Sequence, residues 1–282
     1  MFTEDTLAEK VIFITGGGSG LGLSMAKKFA SLGASVAICG RTQEKLEKAA
    51  SEIDEIGKGK ATGCYVCDVR DYDQVKSTVD QIIADYGQLD GLVNNAAGNF
   101  LSTSEDLSAK GFKAVVDIVL HGSFNATHAF GNYLIDHERK GSVLSIVTTY
   151  AETGSGFVLP SACAKSGVLT MTKSLAFEWA HYGIRLNAIA PGPFPTEGAW
   201  QRLMPDPSVE KAYINKIPMK RYGDHEELAN LATFLISDLA EYLTGECVTI
   251  DGGERLQAGQ FNFVDQLASR ENLKAMLKSM RG

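Results

Sequence analysis

The chain has no apolar stretch approaching the length of a membrane span, so nothing in it reads as a transmembrane helix. Its first ten residues, MFTEDTLAEK, are acidic and lack an apolar core, unlike a signal peptide or a basic transit peptide. A cytoplasmic location is the expectation. Positive charge is in deficit: 27 Lys and Arg face 34 Asp and Glu, giving a net charge of -7. This speaks against general nucleic-acid binding, while a local basic pocket for an anionic cofactor stays open. Cysteine is scarce and odd in number, five in all, which argues against a disulfide framework. Cys64-Tyr-Val-Cys67 has the spacing of redox or metal motifs. No second pair or nearby His completes a zinc set, so these read as buried structural thiols and no metal site is expected. Repeats, low-complexity tracts and internal linkers are also missing.

The 282 residues, 44% hydrophobic and 22% charged, suit one large α/β domain or two small ones. Strand and helix patterns alternate for most of the length. Strands are predicted near 11–15, 35–39, 61–67, 90–94, 142–148, 184–190 and 247–251. Helices are predicted near 20–32, 42–56, 71–86, 106–117, 119–138, 160–182 and 224–238. Such alternation predicts a parallel sheet covered on both faces. Two segments break the pattern. Residues 191–222 are proline-rich and follow a strand's carboxyl end, where an insertion is placed to cover a ligand crevice. Beyond Gly253 lies a tail with a charged helix near 264–280. It suits packing on a partner subunit, covering of the site, or plain solvation.

The most informative segment is the first strand, Val11-Ile12-Phe13-Ile14-Thr15, and the turn Gly16-Gly17-Gly18-Ser19-Gly20-Leu21-Gly22 that opens a helix. Glycines there let the backbone turn sharply and approach a pyrophosphate, whose charge rests on the helix N-terminus. The spacing Gly16-x-x-x-Gly20-x-Gly22 differs from G-x-G-x-x-G because position 21 is Leu. After the second strand comes Gly40-Arg41-Thr42, with no acid at 38–42 to take ribose hydroxyls. An Arg at this place accommodates the 2′-phosphate of NADP, so NADP is expected over NAD. Asp68-Val69 ends the third strand, where Asp68 either meets the adenine or caps the helix near Asp71. Asn95-Ala96-Ala97-Gly98 follows the fourth strand, with small side chains that let a cofactor lie on the backbone.

Taken with Pro191-Gly192-Pro193, these motifs resemble the short-chain dehydrogenase/reductase family over most of residues 8–253. The resemblance implies a single Rossmann-type doubly wound domain, with a seven-stranded parallel sheet and helices on both faces. It also implies a homotetramer packed through helices near 106–138 and 160–182. The family pairs a Tyr with a Lys four residues later and places a Ser thirteen residues before that Tyr. Here Lys165 is preceded by Ser161 at the Tyr position and by Thr148 at the Ser position. His121 stands where many members have a helical Asn, and reads as a packed or interface histidine rather than a base.

A narrower resemblance accounts for the departure. Asn95-Ala96-Ala97-Gly98-Asn99-Phe100, Thr148 to Phe157, and Pro160-Ser161-Ala162-x-Ala164-Lys165 are similar to the NADPH-dependent 2,4-dienoyl-CoA reductases, a branch of the same family. Thr196-Glu197-Gly198-Ala199 resembles that branch as well. The branch takes its active-site Tyr from the loop before the usual position, which here is Tyr150, and its Asn matches Asn99. The resemblance implies reduction of an acyl-CoA thioester with NADPH. Tyr150 and Asn99 would aim donors at the thioester oxygen. Lys165 would hold the nicotinamide ribose and act on a nearby phenol through its charge. Ser161, one helical turn before Lys165, would orient substrate or cofactor. The competing readings are a reductase of other enoyl- or 3-oxoacyl-thioesters or of a small alcohol, and a catalytically silent cofactor-binding regulator.

Overall fold

The structure is a computed structural model that describes residues 2–196 and 207–281. Seven parallel strands form one sheet: β1 Val11–Thr15, β2 Ser35–Gly40, β3 Gly63–Val66, β4 Gly91–Asn94, β5 Gly141–Ile146, β6 Ile184–Pro191 and β7 Cys247–Ile250, in the order β3-β2-β1-β4-β5-β6-β7. Ten α-helices are described: α1 Gly20–Ser31, α2 Gln43–Asp54, α3 Tyr72–Tyr86, α4 Ala109–Val116, α5 Gly122–Asp136, α6 Tyr150–Thr153, α7 Leu159–Trp179, α8 Pro207–Lys216, α9 His225–Ile236 and α10 Arg270–Ser279.

The strands read as unbroken apolar runs because both sheet faces are covered. All five residues of β1 are buried. Ile12 and Ile14 join a cluster with Met25 and Phe29 of α1, Leu46 of α2 and Leu228 of α9. Val11 and Phe13 join the opposite cluster, with Val79 of α3, Phe130 of α5 and Ala176 of α7. Truncating the fully buried Phe13 to Ala would cost about 3–5 kcal/mol, the usual range for an aromatic in a close-packed core. The order of strands reverses between β1 and β4, and this opens a crevice at their carboxyl ends.

Several boundaries differ from expectation. The helices predicted at 106–117 and 119–138 join without a break, through a π-helical turn at Asp117–His121. Gly122 follows it with helical angles (φ -62°, ψ -41°). A side chain at Gly122 would come within 2.6 Å of Val69, and Asn125 Nδ2 donates to Val69 O at 2.9 Å. The turn thus seats α5 directly on the loop after β3. Val147 and Thr148, expected to close the fifth strand, both lie beyond β5, although the Val147 N–H still donates to Ile189 O at 2.8 Å. In the tail, the helix expected at 264–280 is reduced to α10, preceded by 3₁₀ turns at Glu254–Ala258 and Asn262–Gln266. Leu273 is the buried residue of α10.

Cys64 and Cys67 do not form a pair. Cys64 is half-buried against the α1/α2/α9 face, whereas Cys67 is buried in the opposite cluster. A spacing of three along a strand sends two side chains to opposite faces. No helix among the described residues is long and apolar enough to cross a membrane. Of the segment expected to cover the crevice, residues 197–206 lie outside the described residues, and with them Glu197-Gly198-Ala199.

Candidate active site

The crevice opens into a cleft of about 540 Å³. Gly16, Gly18, Ser19, Gly20 and Leu21 line one wall, and Arg41, Asp68, Val69, Asn95, Ala96, Ala97, Gly98 and Asn99 line the floor and far wall. Tyr150, Ser161, Lys165 and Pro191 line the other end. The sequence motifs therefore converge on one place.

The floor is fastened by side chains of β1 and β4. Thr15 Oγ1 accepts from the N–H groups of Asn95 and Ala96, each at 3.1 Å, and donates to Val93 O at 3.3 Å. Asn95 Nδ2 donates to Thr15 O at 3.2 Å and Gly16 O at 3.1 Å. Gly16 has φ +65° and a side chain there would come within 3.0 Å of Ala96 Cα, so only glycine fits without strain. Ser19 precedes α1 in extended conformation and makes no side-chain cap bond, and the first turn of α1 holds no acid. The first-turn N–H groups, which a helix leaves without intrahelical partners, and the helix dipole suit an anion at this point.

Three expected cofactor contacts lie elsewhere. Gly22 does not line the cleft; a side chain there would meet Asn95 Nδ2 and Gly16 O at 2.5 Å, so its smallness packs helix against loop. Gly192 likewise faces protein, with Asp251 Cα 2.7 Å from where a side chain would start. Pro193 lines a smaller neighbouring pocket with Met219, Tyr222 and Asp251. Asp68 does not cap α3, because Asp71 takes that role by accepting from the Asp73 and Gln74 N–H groups. Asp68 instead accepts from Arg70, at 2.9 and 3.0 Å from Nε, and the pairing holds its carboxyl below the usual range. His121 is exposed, outside the cleft, and pairs with Asp117 at 3.1 Å.

The motif reading missed several lining residues. Lys45, in the first turn of α2, adds a second cation beside Arg41, and its spacing of four from Arg41 was the available signal. Leu46, Ile118 and Phe194 line the cleft without any sequence motif to mark them, and Thr42 and Thr196, quoted within motifs but given no role, line it too.

At the other end, Tyr150 opens the one-turn helix α6 rather than lying in a plain loop. Its hydroxyl is 3.1 Å from Ser161 Oγ, across eleven residues of chain. Ser161 is buried on α7, and Lys165 follows one turn later. Lys165 Nζ donates to Ile146 O at the end of β5. Burial pulls its pKa down from 10.5 to about 8, since a charged amine loses hydration there. Thr148 Oγ1 is buried with no hydrogen-bond partner among the described residues, and Thr148 lines the cleft. Asn99 Oδ1 accepts from the Phe100 N–H at 2.9 Å, which leaves the amide hydrogens as the donors to offer a substrate.

A family model described as enoyl-(acyl carrier protein) reductase matches residues 16–254. The chain belongs to the short-chain dehydrogenase/reductase family. A Bacillus subtilis relative named probable 2,4-dienoyl-CoA reductase is 42% identical over 256 residues, covering 90% of this chain and all of that one. Probable 2,4-dienoyl-CoA reductase 3 of Caenorhabditis elegans is 44% identical over 257 residues, covering 89% and 82% of the two chains. Among solved structures, a short chain dehydrogenase from Bacillus anthracis superposes with a TM-score of 0.82 at 45% identity, covering 89% and 99%. A gluconate 5-dehydrogenase from Burkholderia cenocepacia, in complex with NADP and tartrate, superposes at 0.81 with 30% identity, covering 89% and 97%.

Short-chain dehydrogenases/reductases use NAD or NADP, and this member's cleft has features that fit such a group. Gly16, Gly18 and Gly20 line it beside the N-terminus of α1, where a pyrophosphate would sit, Arg41 and Lys45 supply positive charge, and the Thr148 hydroxyl, without a partner among the described residues, suits a polar ligand.

Proposed function

We propose that this enzyme is an NADPH-dependent reductase of conjugated 2,4-dienoyl-CoA thioesters, acting in the breakdown of unsaturated fatty acids. The observation that carries the reading is the Tyr150–Ser161 contact. The phenol absent from the usual position before Lys165 is supplied from α6, and the residue in that position holds it at 3.1 Å. The names of the relatives support the substrate class.

The chemistry asks for such a site. When bound, NADPH would supply hydride to the far carbon of the diene. The negative charge would spread along the substrate to the thioester oxygen as a dienolate, which takes a proton at carbon, from Tyr150 or water, to complete the reduction. Donors aimed at that oxygen lower the barrier, as in any oxyanion hole. The Tyr150 hydroxyl and the Asn99 amide supply two. Ser161 fixes the Tyr150 hydroxyl. Lys165 would hold the nicotinamide ribose and adds positive charge near the developing anion. Arg41 and Lys45 would take the 2′-phosphate, Asp68 would face the adenine side, and Asn95 keeps the glycine turn in shape. We further propose a homotetramer through the helices of 106–138 and 160–182, supported by Phe124 and Phe177, which are 46% and 88% exposed on α5 and α7. A cytoplasmic setting is in keeping with the Bacillus subtilis relative.

The test is NADPH oxidation with a trans-2,trans-4-dienoyl-CoA beside a 3-oxoacyl-CoA and a trans-2-enoyl-CoA. The dienoyl thioester should be turned over with the highest kcat/KM. Preference for the 3-oxoacyl thioester would sink the assignment.

A further inference from the structure

Helix α6 is one turn long, too short to hold itself together in water. Glu152 and Thr153, and the chain onward to Phe157, are exposed. Side chains at Gly154 and Gly156 would meet nothing within 4 Å among the described residues. What holds α6 in place therefore lies on its other side, against α7. The Ala151 side chain is buried in a cluster with Val147, Ala164 and Val168. The Ala151 N–H donates to Thr148 O at 3.0 Å, and the Gly154 N–H donates to Tyr150 O at 3.0 Å. The Ala151 carbonyl is one of the last-turn oxygens that a helix leaves without an internal partner. It accepts instead from the hydroxyl of Ser166, which is half-buried on α7.

Helix α7 meets this turn with two adjoining stripes. Ser161 and Lys165, four apart, both line the cleft, and the Ser161 hydroxyl lies 3.1 Å from that of Tyr150. Ala162 and Ser166, also four apart, form the next stripe, and Ser166 holds the backbone of the residue after Tyr150. We propose that Ser166 is a positioning residue for Tyr150: the first stripe holds the hydroxyl, and the second holds the backbone from which the ring extends. The inference rests on the role given to Tyr150 in the dienoyl-thioester reading. A phenol that stabilises an oxyanion must meet it at hydrogen-bond distance, so a slack of about 1 Å in α6 weakens the donor where the barrier is decided. Ser161 fixes one atom of the side chain and leaves the turn beneath free to pivot about it. The Ser166 bond removes that pivot. Ser166 is not among the residues that line the cleft, so it acts through α6 and not on substrate.

The experiment compares Ser166→Ala and Ser166→Thr in the full-length protein, and repeats Ser166→Ala in a Tyr150→Phe background. Ser166→Ala should lower kcat for the dienoyl-CoA by roughly tenfold, the scale of one net hydrogen bond, while the NADPH dissociation constant stays at the parental value. Ser166→Thr, which keeps the hydroxyl, should recover most of that loss. In the Tyr150→Phe background, Ser166→Ala should cost nothing further, because no phenol hydroxyl is left to aim. A general packing defect would instead lower turnover equally in both backgrounds. Hydrogen exchange at the Ala151 and Gly154 amides, measured without substrate, should quicken in Ser166→Ala. An unchanged kcat, an equal loss in both backgrounds, or a parallel loss of NADPH affinity would overturn the proposal. If the parent fails to turn over dienoyl-CoA, the assigned reaction falls, and the exchange rates alone decide: quickening supports the anchor and parental rates remove it.

Discussion

Lys165 offers a prediction whose size follows from its burial. Its pKa falls from 10.5 to about 8 because α7 holds the amine away from water. The 2.5-unit difference corresponds to about 3 kcal/mol at about 1.4 kcal/mol per unit. Below pH 8 the amine is charged in both the folded and unfolded chains, and the full penalty acts against folding. Between pH 8 and 10.5 the folded chain has released the proton while the unfolded chain keeps it. Stability therefore rises with pH across this window, at about 1.4 kcal/mol per unit, and above 10.5 the penalty is gone. Other groups run the opposite way. Tyr65 and Cys247 are held protonated in the fold, mainly by burial, so their contribution is lost as the unfolded chain ionises. Lys165→Met isolates the lysine, since it keeps the volume and shares that background. Urea unfolding without cofactor should show the variant more stable relative to the parent at pH 7.5 than at pH 9.5. The gap should shrink by about 2 kcal/mol across the part of that interval above pH 8. The variant should also fail to catalyse. A gap that does not change with pH would refute the account of Lys165 as a buried, desolvated cation.

Four further outcomes are expected. Tyr150→Phe keeps the ring and deletes the donor, so kcat should fall by roughly 10²–10³ with NADPH affinity kept; near-parental turnover in a stopped-flow assay would remove the oxyanion role. Asn99→Ala should act likewise, and less than additively when combined with Tyr150→Phe, because both serve one oxygen. Arg41→Asp should lower kcat/KM for NADPH far more than for NADH, and equal use of both cofactors by the parent would contradict the phosphate role given to Arg41 and Lys45. Ser161→Tyr should fail to create an efficient ketone reductase, since it removes the hydroxyl that holds Tyr150, and brisk reduction of a simple ketone would show that position 161 alone sets the chemistry.

The sheet was legible because residues such as Val11 to Ile14 must be apolar on both sides, and that demand writes itself into consecutive positions. The glycine turn was legible for a similar reason: a positive φ at Gly16 and Gly20 restricts the residue type. What sequence could not separate was a glycine pressed against a ligand from one pressed against protein. Gly22 and Gly192 belong to the second kind, and only the positions of Asn95 and Asp251 reveal it. The π-helical turn before Gly122 carries no proline or cap to announce it, and the close approach of Gly122 to Val69 leaves no trace in sequence beyond the glycine itself. Helix α6 is a single turn, too short for any periodicity to mark.

The Thr15–Asn95 fastening joins residues 80 apart in the chain. During synthesis the glycine turn leaves the ribosome early, yet the floor against which a dinucleotide lies does not exist until β4 has emerged and taken its place beside β1. Until then the turn has its sequence but not its shape. Contacts this distant form late because closing the intervening loop costs entropy first. A fragment ending before Asn95 should therefore be blind to the cofactor, and capture of the cofactor by a growing chain would serve as a clock for the arrival of the fourth strand.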